Sequence, residues 1–212
     1  ATCSPNGFRI LIVDDDSPDG TGQIGERLAS ERSEVEILHR AIREGLGPAY
    51  LAGFEHALSR GADFIMEMDS DFSHSPSDLE RLLRTVRDGG ADLALGSRYV
   101  PGGGIENWSA SRRVISRGGS LYARIILSLP VTDLTGGFKC FRADVLRAID
   151  LPSVTARGYA FQIELTYRAI ERGFKVVEVP IVFRDRVAGK SKMSWQITAE
   201  AAWLVPLMRL RR

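Results

Sequence analysis

The feature that most constrains the fold of this chain is the alternation of apolar strands with helical segments in its first half. Residues 9–13 form a β-branched apolar run, as buried strands do, and residues 20–30 are predicted to be a helix. Further strands are predicted at residues 35–38, 62–68 and 91–95, with helices at residues 46–60 and 75–87 between them. This order predicts an α/β fold with a mostly parallel sheet and helices on both faces.

The second half is less regular. A glycine-rich loop is predicted at residues 99–108 and a last helix from about Ser194. Further helices are predicted at residues 112–129, 143–149 and 160–172, and strands at residues 138–141, 175–179 and 181–183. No repeat or low-complexity linker interrupts the chain, so residues 1–212 are expected to be a single domain.

Composition excludes several classes of protein. The net charge of +1 argues against a general nucleic-acid binder. Two cysteines in 212 residues do not make a disulfide framework, which fits a reducing compartment. No apolar run is long enough to span a bilayer, and the N-terminus does not have the pattern of a signal peptide.

The C-terminal segment, residues 193–212, has two interpretations. It combines Trp203 and a short apolar stretch with terminal arginines, as amphipathic helices at a membrane interface do. It also fits a final helix that packs on the domain. The sequence alone does not separate the two.

Acidic and polar residues cluster directly after three of the predicted strands. Asp69 and Asp71 follow the third strand, residues 14–21 follow the first, and Gly96 to Tyr99 follow the fourth. Singly, an Asp-x-Asp sequence is more often a turn or a helix cap. In a parallel sheet, however, the three groups lie along one edge, which is where such sheets bind ligands. Together they predict a site in which carboxylates share a divalent cation with phosphate oxygens.

Glycines and cations complete this pattern. Gly45 and Gly47 allow backbone N–H groups to approach a ligand, although a simple helix entry also explains them. Arginines at residues 112, 113 and 117 and a basic loop at residues 184–192 suit phosphate groups, although each alone is more often a solvated surface. A cationic site beside an acidic metal site predicts two anionic ligands side by side. One would bind through the metal ion and the other through arginine and lysine.

Seven stretches, in order along the chain, resemble the dolichyl- and polyprenyl-phosphate mannosyltransferases. These are inverting glycosyltransferases with the Rossmann-like GT-A fold. The stretches are residues 13–21, 45–47, 69–71, 96–99, 133–138, 158–164 and 186–192. The stretches at residues 96–99, 158–164 and 186–192 narrow the resemblance to enzymes with polyprenyl-phosphate acceptors.

The resemblance implies a role for each matching residue. Asp15, Ser17 and Gly45 belong to the donor-binding set, with Asp15 and Ser17 at the nucleoside. Asp69 and Asp71 hold the donor diphosphate through Mg²⁺ or Mn²⁺. Gln162 and Glu164 line the sugar pocket. Acceptor phosphate is bound by Arg98, Ser116 and one arginine of the pair Arg112 and Arg113. Arg186 and Lys192 stabilise phosphate charge, and Asp71, Arg98, Arg186 and Lys192 form the catalytic set.

The sequence departs from the family pattern twice. The family normally begins with a strand ending in Pro-x-Tyr-Asn-Glu, and this segment is absent before Arg9. Ser73 stands where many members have a glutamine that completes the metal shell, so the third metal ligand is left open.

The expected reaction transfers a hexose, mannose from GDP-mannose, to dolichyl or polyprenyl phosphate in one inverting displacement. A phosphate acceptor is anionic at neutral pH because its second pKa is ~6, so it needs no general base. The three histidines, His74 among them, are accordingly expected to be structural. The chain is expected in the cytoplasm, at the cytoplasmic face of a membrane, with a membrane-anchoring domain or subunit as a further candidate partner.

Other functions stay open at this point. A glucosyltransferase with a uridine donor fits the same residues. A receiver-type signalling domain would explain the opening strand with its acidic pair and would use Asp69 as the phosphate acceptor. A nucleotidyltransferase lacks its glycine-rich N-terminal loop here, and a donor-binding module without activity is a further alternative.

Overall fold

The computed structural model describes residues 7–156, 158–185 and 195–210, with the backbone alone for residues 159 and 195–201. The chain divides into two compact units, residues 1–62 and 63–212. The prediction that the family's first strand is missing concerns the chain before Arg9, most of which lies outside the described residues.

The first unit is a parallel strand pair with two helices. Its elements are β1 (Ile10–Asp14), α1 (Thr21–Glu31), β2 (Val35–His39) and α2 (Leu46–Ser59). β1 and β2 are in register from Ile10 opposite Val35 to Asp14 opposite His39. Helix α1 lies close to β2, since a Cβ on Gly25 would come within 2.4 Å of the Ile37 side chain.

The second unit contains a four-stranded mixed sheet and a separate strand pair. Its strands are β3 (Phe64–Glu67), β4 (Leu93–Ser97), β5 (Gly104–Glu106), β6 (Lys139–Arg142), β7 (Val176–Pro180) and β8 (Val182–Arg184). The sheet order is β3-β6-β4-β7, with β6 antiparallel to both neighbours and β7 parallel to β4. Strands β3 and β4 therefore run in the same direction, and their carboxyl ends lie at one edge of the sheet.

Five helices complete the second unit within the described residues. They are α3 (Ser77–Arg87), α4 (Ala110–Leu127), α5 (Ala143–Ala148), α6 (Gly158–Glu171) and α7 (Trp195–Leu210). Leu127 of α4, Ile163 of α6 and Val205 of α7 meet in a buried apolar cluster together with Leu95 of β4. This packing, rather than helix propensity, holds the three helices on the sheet.

The predicted α/β class is confirmed. The prediction was incomplete in two places. β6, the strand predicted at residues 138–141, is antiparallel and lies between β3 and β4, and β5 forms inside the segment predicted to be a loop. Two boundaries also move, because Gly96 and Ser97 belong to β4 and the helix predicted at residues 75–87 begins at Ser77.

The last helix packs on its own unit. The Tyr122 hydroxyl of α4 donates to the Ala202 carbonyl at 2.7 Å, and the Arg209 guanidinium donates to the Ser128 hydroxyl at 3.0 Å. Trp203 nevertheless points to solvent. None of the helices in the described part of the chain has the length and apolar character required to cross a bilayer.

Candidate active site

In the first unit, the loop after β1 is tied to the start of α2. Oδ2 of Asp15 accepts from the backbone N–H of Gly45 at 2.8 Å, and Oδ1 accepts from Arg40. Gly45 has φ +98°, a conformation that side chains disfavour, so a glycine here lets its amide reach the carboxylate. Two residues of the predicted donor-binding set, 30 positions apart, are thus in contact.

Ser17, the third member of that set in this unit, is held by the same loop. Its backbone N–H donates to Oδ1 of the buried Asp14 at 3.3 Å, and Asp14 Oδ2 lies 3.4 Å from His39 Nδ1. The end of β1 is therefore ordered by side chains of its own unit.

In the second unit, residues from several segments line one recess, which we call the β4 cavity. Its volume is about 50 Å³. Its lining residues are Asp69, His74, Gly96, Arg98, Trp108, Arg112, Thr135, Gly136, Gly137, Ile181 and Phe183. The prediction that the residues after β3 and β4 lie at one edge is confirmed for Asp69 and Arg98.

The loop after β3 carries the predicted metal ligands. Asp71 Oδ1 accepts from the Ser73 backbone N–H at 3.0 Å, which closes an Asx turn, and the Asp69 side chain is 36% exposed. Within the described residues, no three His, Cys, Asp or Glu side chains are grouped to hold a metal ion. Two carboxylates suit Mg²⁺ or Mn²⁺ when substrate phosphates and water complete the coordination shell of the ion.

Arg98 is held rigidly at the cavity wall. Its Nε and Nη2 donate to the two carboxylate oxygens of Asp133 at 2.7 and 2.6 Å, and Nη2 also donates to Thr135 at 2.9 Å. The side chains of Arg98 and Asp133 are 6% and 0% exposed, so this is a buried bidentate ion pair. Asp133 is in turn fixed by Glu178 of β7, which accepts from its backbone N–H at 2.9 Å.

The structure separates the two arginines that the sequence left as alternatives. Arg112 lines the β4 cavity, lies over the Trp108 ring at 3.9 Å and donates to Asp185 at 2.7 Å. Arg113, one position along α4, is exposed and donates to the Ile105 carbonyl at 3.3 Å. Ser116 is buried and accepts from the Tyr99 hydroxyl at 2.8 Å, outside the cavity lining.

Sequence reasoning missed the two cavity residues that carry ring nitrogens, His74 and Trp108. The His74 ring lies 4.8 Å from Phe138 and 5.1 Å from Phe183, and Trp108 packs edge-on against Phe183. Burial lowers the pKa of His74 to about 4, so the imidazole is neutral at physiological pH. The one feature of the sequence that pointed to His74 as a site residue was its position, three residues after Asp71.

Gln162 lies beneath the Asp69 loop. A Cβ on Gly137 would come within 3.4 Å of Gln162 Nε2 and 4.0 Å of Asp69 Oδ1, so these two atoms flank the glycine. Gln162 Oε1 accepts from the ammonium of the fully buried Lys139, whose nitrogen is 3.3 Å from Glu67 Oε1. Burial raises the pKa of Glu67 to about 7, and the neighbouring Lys139 opposes that rise.

Glu164, its partner in the predicted sugar pocket, faces a different cavity. Its oxygens accept from the Ala156 backbone N–H at 3.1 Å and from Arg168 Nε at 2.9 Å. It lines a recess of about 300 Å³, which we call the α6 cavity, together with Leu204 and Leu207 of α7. The predicted catalytic residues Arg186 and Lys192 lie outside the described residues.

The family model for glycosyl transferase family 2 matches residues 4–150. The chain belongs to this family. An undecaprenyl-phosphate mannosyltransferase from Micrococcus luteus is 52% identical over 192 residues, covering 91% of this chain and 78% of that protein. A polyprenol monophosphomannose synthase from Mycolicibacterium smegmatis is 51% identical over 197 residues, covering 92% and 74%.

Solved structures share the fold of this family 2 glycosyltransferase at low identity. Glucosyl-3-phosphoglycerate synthase from Mycobacterium tuberculosis, in complex with phosphoglyceric acid, superposes with a TM-score of 0.65 at 17% identity, covering 95% of this chain and 68% of that one. The same enzyme in complex with Mn²⁺, uridine diphosphate and glucosyl-3-phosphoglycerate gives a TM-score of 0.65 at 18% identity, with the same coverage.

These comparisons confirm the resemblance to polyprenyl-phosphate mannosyltransferases and the GT-A fold. They also confirm that the chain is a glycosyltransferase. The receiver-type domain and the nucleotidyltransferase are set aside, because the similarity extends over 91% of the chain.

Proposed function

We propose that this chain transfers mannose, with GDP-mannose as donor, to a polyprenyl phosphate and inverts the anomeric carbon. The observation that carries the proposal is the β4 cavity, in which Asp69 and two arginines line one recess. The names of the two bacterial relatives support the same acceptor class and the same sugar.

The donor-binding residues keep the roles that the family motifs predict. Asp15, Ser17 and Gly45 are proposed to bind the nucleoside. Asp69 and Asp71 are proposed to hold the diphosphate through Mg²⁺ or Mn²⁺. A bound divalent ion neutralises charge on the leaving diphosphate. A solved complex of the M. tuberculosis enzyme contains Mn²⁺ together with uridine diphosphate, which supports such an ion.

The sugar is proposed to lie beside Gln162 and Glu164. Gln162 is the better supported of the two, because its amide nitrogen flanks Gly137 together with Asp69. The carboxylate of Glu164 is bonded to Arg168 and to the Ala156 backbone. Glu164 in this role remains a prediction from the family motif.

The acceptor phosphate is proposed to bind to Arg98 and Arg112, which line one cavity. Ser116, predicted beside them, is bonded to Tyr99 and stays a prediction. Asp133 and Asp185 already accept from these guanidinium groups, so the phosphate is proposed to accept from other N–H groups of the two arginines. The phosphate is itself the nucleophile, since its second pKa of ~6 leaves it anionic at pH 7. Arg186 and Lys192 are proposed to add positive charge at this step.

Peripheral binding to the cytoplasmic face of a membrane is part of the proposal. Among the described side chains, apolar groups of two adjacent helices are exposed: Val114, Ile115, Leu121, Tyr122 and Ile125 of α4, with Trp203 and Leu210 of α7. Exposed arginines accompany them at residues 113, 117, 124 and 209. Basic and apolar residues together favour an anionic lipid surface, where polyprenyl phosphate is found.

The test is an assay of the purified protein with Mg²⁺ or Mn²⁺, a short polyprenyl phosphate and a panel of sugar nucleotides. We expect a glycosyl phospholipid with GDP-mannose as the preferred donor. Preference for UDP-glucose would overturn the donor assignment. Sugar on hydroxyl acceptors, with none on polyprenyl phosphate, would overturn the acceptor assignment.

A further inference from the structure

Three residues that line the β4 cavity carry buried nitrogen atoms without a hydrogen-bond partner. They are Nδ1 and Nε2 of His74, Nε1 of Trp108 and Nε of Arg112, each without a hydrogen-bond partner among residues 7–156, 158–185 and 195–210. Nε2 of His74 lies 3.9 Å from Oδ2 of Asp69, beyond hydrogen-bond distance. His74 is 5% exposed and Trp108 is 7% exposed. Buried donors without acceptors destabilise a fold, so three of them around one recess suggest that a ligand pairs with them.

The chemistry of these atoms defines the ligand. Indole and guanidinium nitrogens are donors only, and a neutral imidazole always has one donor nitrogen. Arg98 and Arg112 line the same cavity, where each is paired with a carboxylate, Asp133 or Asp185, and Asp69 lines it too. The N–H donors do not ligate a metal ion, and they bond an anionic oxygen more strongly than a neutral sugar hydroxyl. A phosphate oxyanion, which accepts several hydrogen bonds, suits these donors.

The surrounding rings hold these donors in fixed positions. Phe183 is in edge contact with His74 at 5.1 Å and with Trp108 at 5.2 Å, and the Arg112 guanidinium stacks on Trp108 at 3.9 Å. Such packing restricts the rotamers of both rings before any ligand arrives. Donors that are already oriented bind an anion without a further ordering cost.

We infer that His74 and Trp108 are phosphate-binding residues, whose neutral N–H groups hold the oxyanion of the acceptor beside Arg98 and Arg112. This inference rests on the proposed function for the identity of the acceptor. It adds two residues to the acceptor site, and it explains why the site contains aromatic rings in addition to arginines.

A first test removes the nitrogens of His74 and keeps its ring. In His74→Phe we expect the KM for a short polyprenyl phosphate to rise at least about tenfold, since a hydrogen bond to a charged group is lost. The KM for the acceptor rises by a larger factor than the KM for the donor, and the unfolding temperature is unchanged or higher because nitrogens without hydrogen-bond partners are gone. His74→Gln, which retains an N–H donor, recovers most of the acceptor affinity.

If His74 is only a packing residue, the acceptor KM of His74→Phe equals that of the wild type. That result overturns the inference. So does an acceptor KM that rises in His74→Phe and His74→Gln by the same factor.

A second test uses the unmodified protein and does not depend on turnover. Nuclear magnetic resonance of the indole N–H groups follows titration with a short isoprenyl phosphate, with the matching isoprenol as control. We expect the Trp108 signal, assigned by its loss in Trp108→Phe, to move downfield with the phosphate alone. The signal of Trp203, 72% exposed on α7, serves as the internal reference and does not follow this shift.

The two tests separate this inference from the proposed reaction. A Trp108 shift in a protein that transfers no sugar would keep the phosphate site and reject the proposed function. A Trp108 signal that stays in place, or that moves equally with isoprenol, would reject the site even if the enzyme is active.

Discussion

The β4 cavity and the α6 cavity belong to the same unit and differ in how their polar groups are satisfied. In the α6 cavity, every guanidinium nitrogen of Arg168 donates to protein atoms, including Glu164 Oε1 and the carbonyls of Ile149 and Ser153. In the smaller β4 cavity, buried nitrogens of His74, Trp108 and Arg112 have no partner among the described residues. The larger recess is thus held together by its own polar groups, whereas the smaller one keeps buried donors for the proposed ligand.

The largest expected effect comes from the buried pair at the wall of the β4 cavity. Asp133→Asn keeps the shape of the side chain and removes the charge that pairs with Arg98. We expect the free energy of unfolding to fall by about 3–5 kcal/mol, because Arg98 is left buried and unpaired. Urea unfolding followed by circular dichroism measures this. A loss below 1 kcal/mol would mean that Arg98 finds another partner.

Asp71→Asn tests the metal-binding loop and should affect catalysis without affecting the fold. We expect transfer to fall by at least about 100-fold, because charge on the leaving diphosphate is no longer offset. The unfolding temperature stays close to that of the wild type, since the amide still accepts the bond from Ser73. Binding of Mn²⁺, followed by electron paramagnetic resonance, falls in parallel. Transfer at the wild-type rate would contradict the assigned role of Asp71.

Arg168→Met tests the α6 cavity by removing the positively charged partner of a buried carboxylate. It leaves Glu164 buried without its guanidinium, so we expect a loss of roughly 2–4 kcal/mol in stability. Urea unfolding measures this loss, and a loss below about 1 kcal/mol would contradict the contribution assigned to Arg168. The KM for the donor tests Glu164 separately, because a rise would support its predicted place in the sugar pocket.

The unpaired imidazole of His74 should also make the ligand-free fold sensitive to acid. Its pKa is about 4 in the folded protein and 6.5 in the unfolded chain, so the unfolded chain binds more protons between these values. The free energy of unfolding therefore falls as the pH is lowered from 6.5 toward 4. We expect His74→Phe to lose less stability over this interval than the wild type. Parallel curves for the two proteins would contradict the assigned environment of His74.

The smallest effect is expected at an exposed ion pair away from both cavities. Arg84 Nε lies 2.8 Å from Glu80 Oε1 on α3, and the Arg84 side chain is 66% exposed. Arg84→Ala should change the free energy of unfolding by no more than about 0.5 kcal/mol and leave transfer unchanged. A larger loss would show that surface substitutions also disturb the fold, which would weaken the contrast drawn from Arg168→Met.

The sequence predicted most of the fold because strands such as β1 and β4 are apolar runs with turn residues at their ends. It did not predict that β6 is antiparallel, since strand direction depends on pairing between distant segments. The short β5 was missed because its residues, Gly104–Glu106, are stabilised by pairing with β8 rather than by their own propensity.

The candidate site was predicted in part for similar reasons. Asp69 and Arg98 follow strands that run in the same direction, so the sequence alone brings them to one edge. Which of Arg112 and Arg113 lines the cavity depends on how α4 is rotated about its axis, and the sequence does not give this rotation. His74 and Trp108 were not predicted as site residues, because an unpaired buried nitrogen can be recognised only when its surroundings are known.

The account predicts that a phosphate oxygen displaces the nucleotide directly, so the anomeric configuration of the product tests it most directly. Purified protein would be incubated with a divalent cation, GDP-mannose and a short polyprenyl phosphate, and the configuration of the product would be read from its proton–carbon coupling. We predict a mannosyl phospholipid with the configuration opposite to that of the donor. A product that retains the donor configuration, or free mannose in place of the lipid product, would contradict the account.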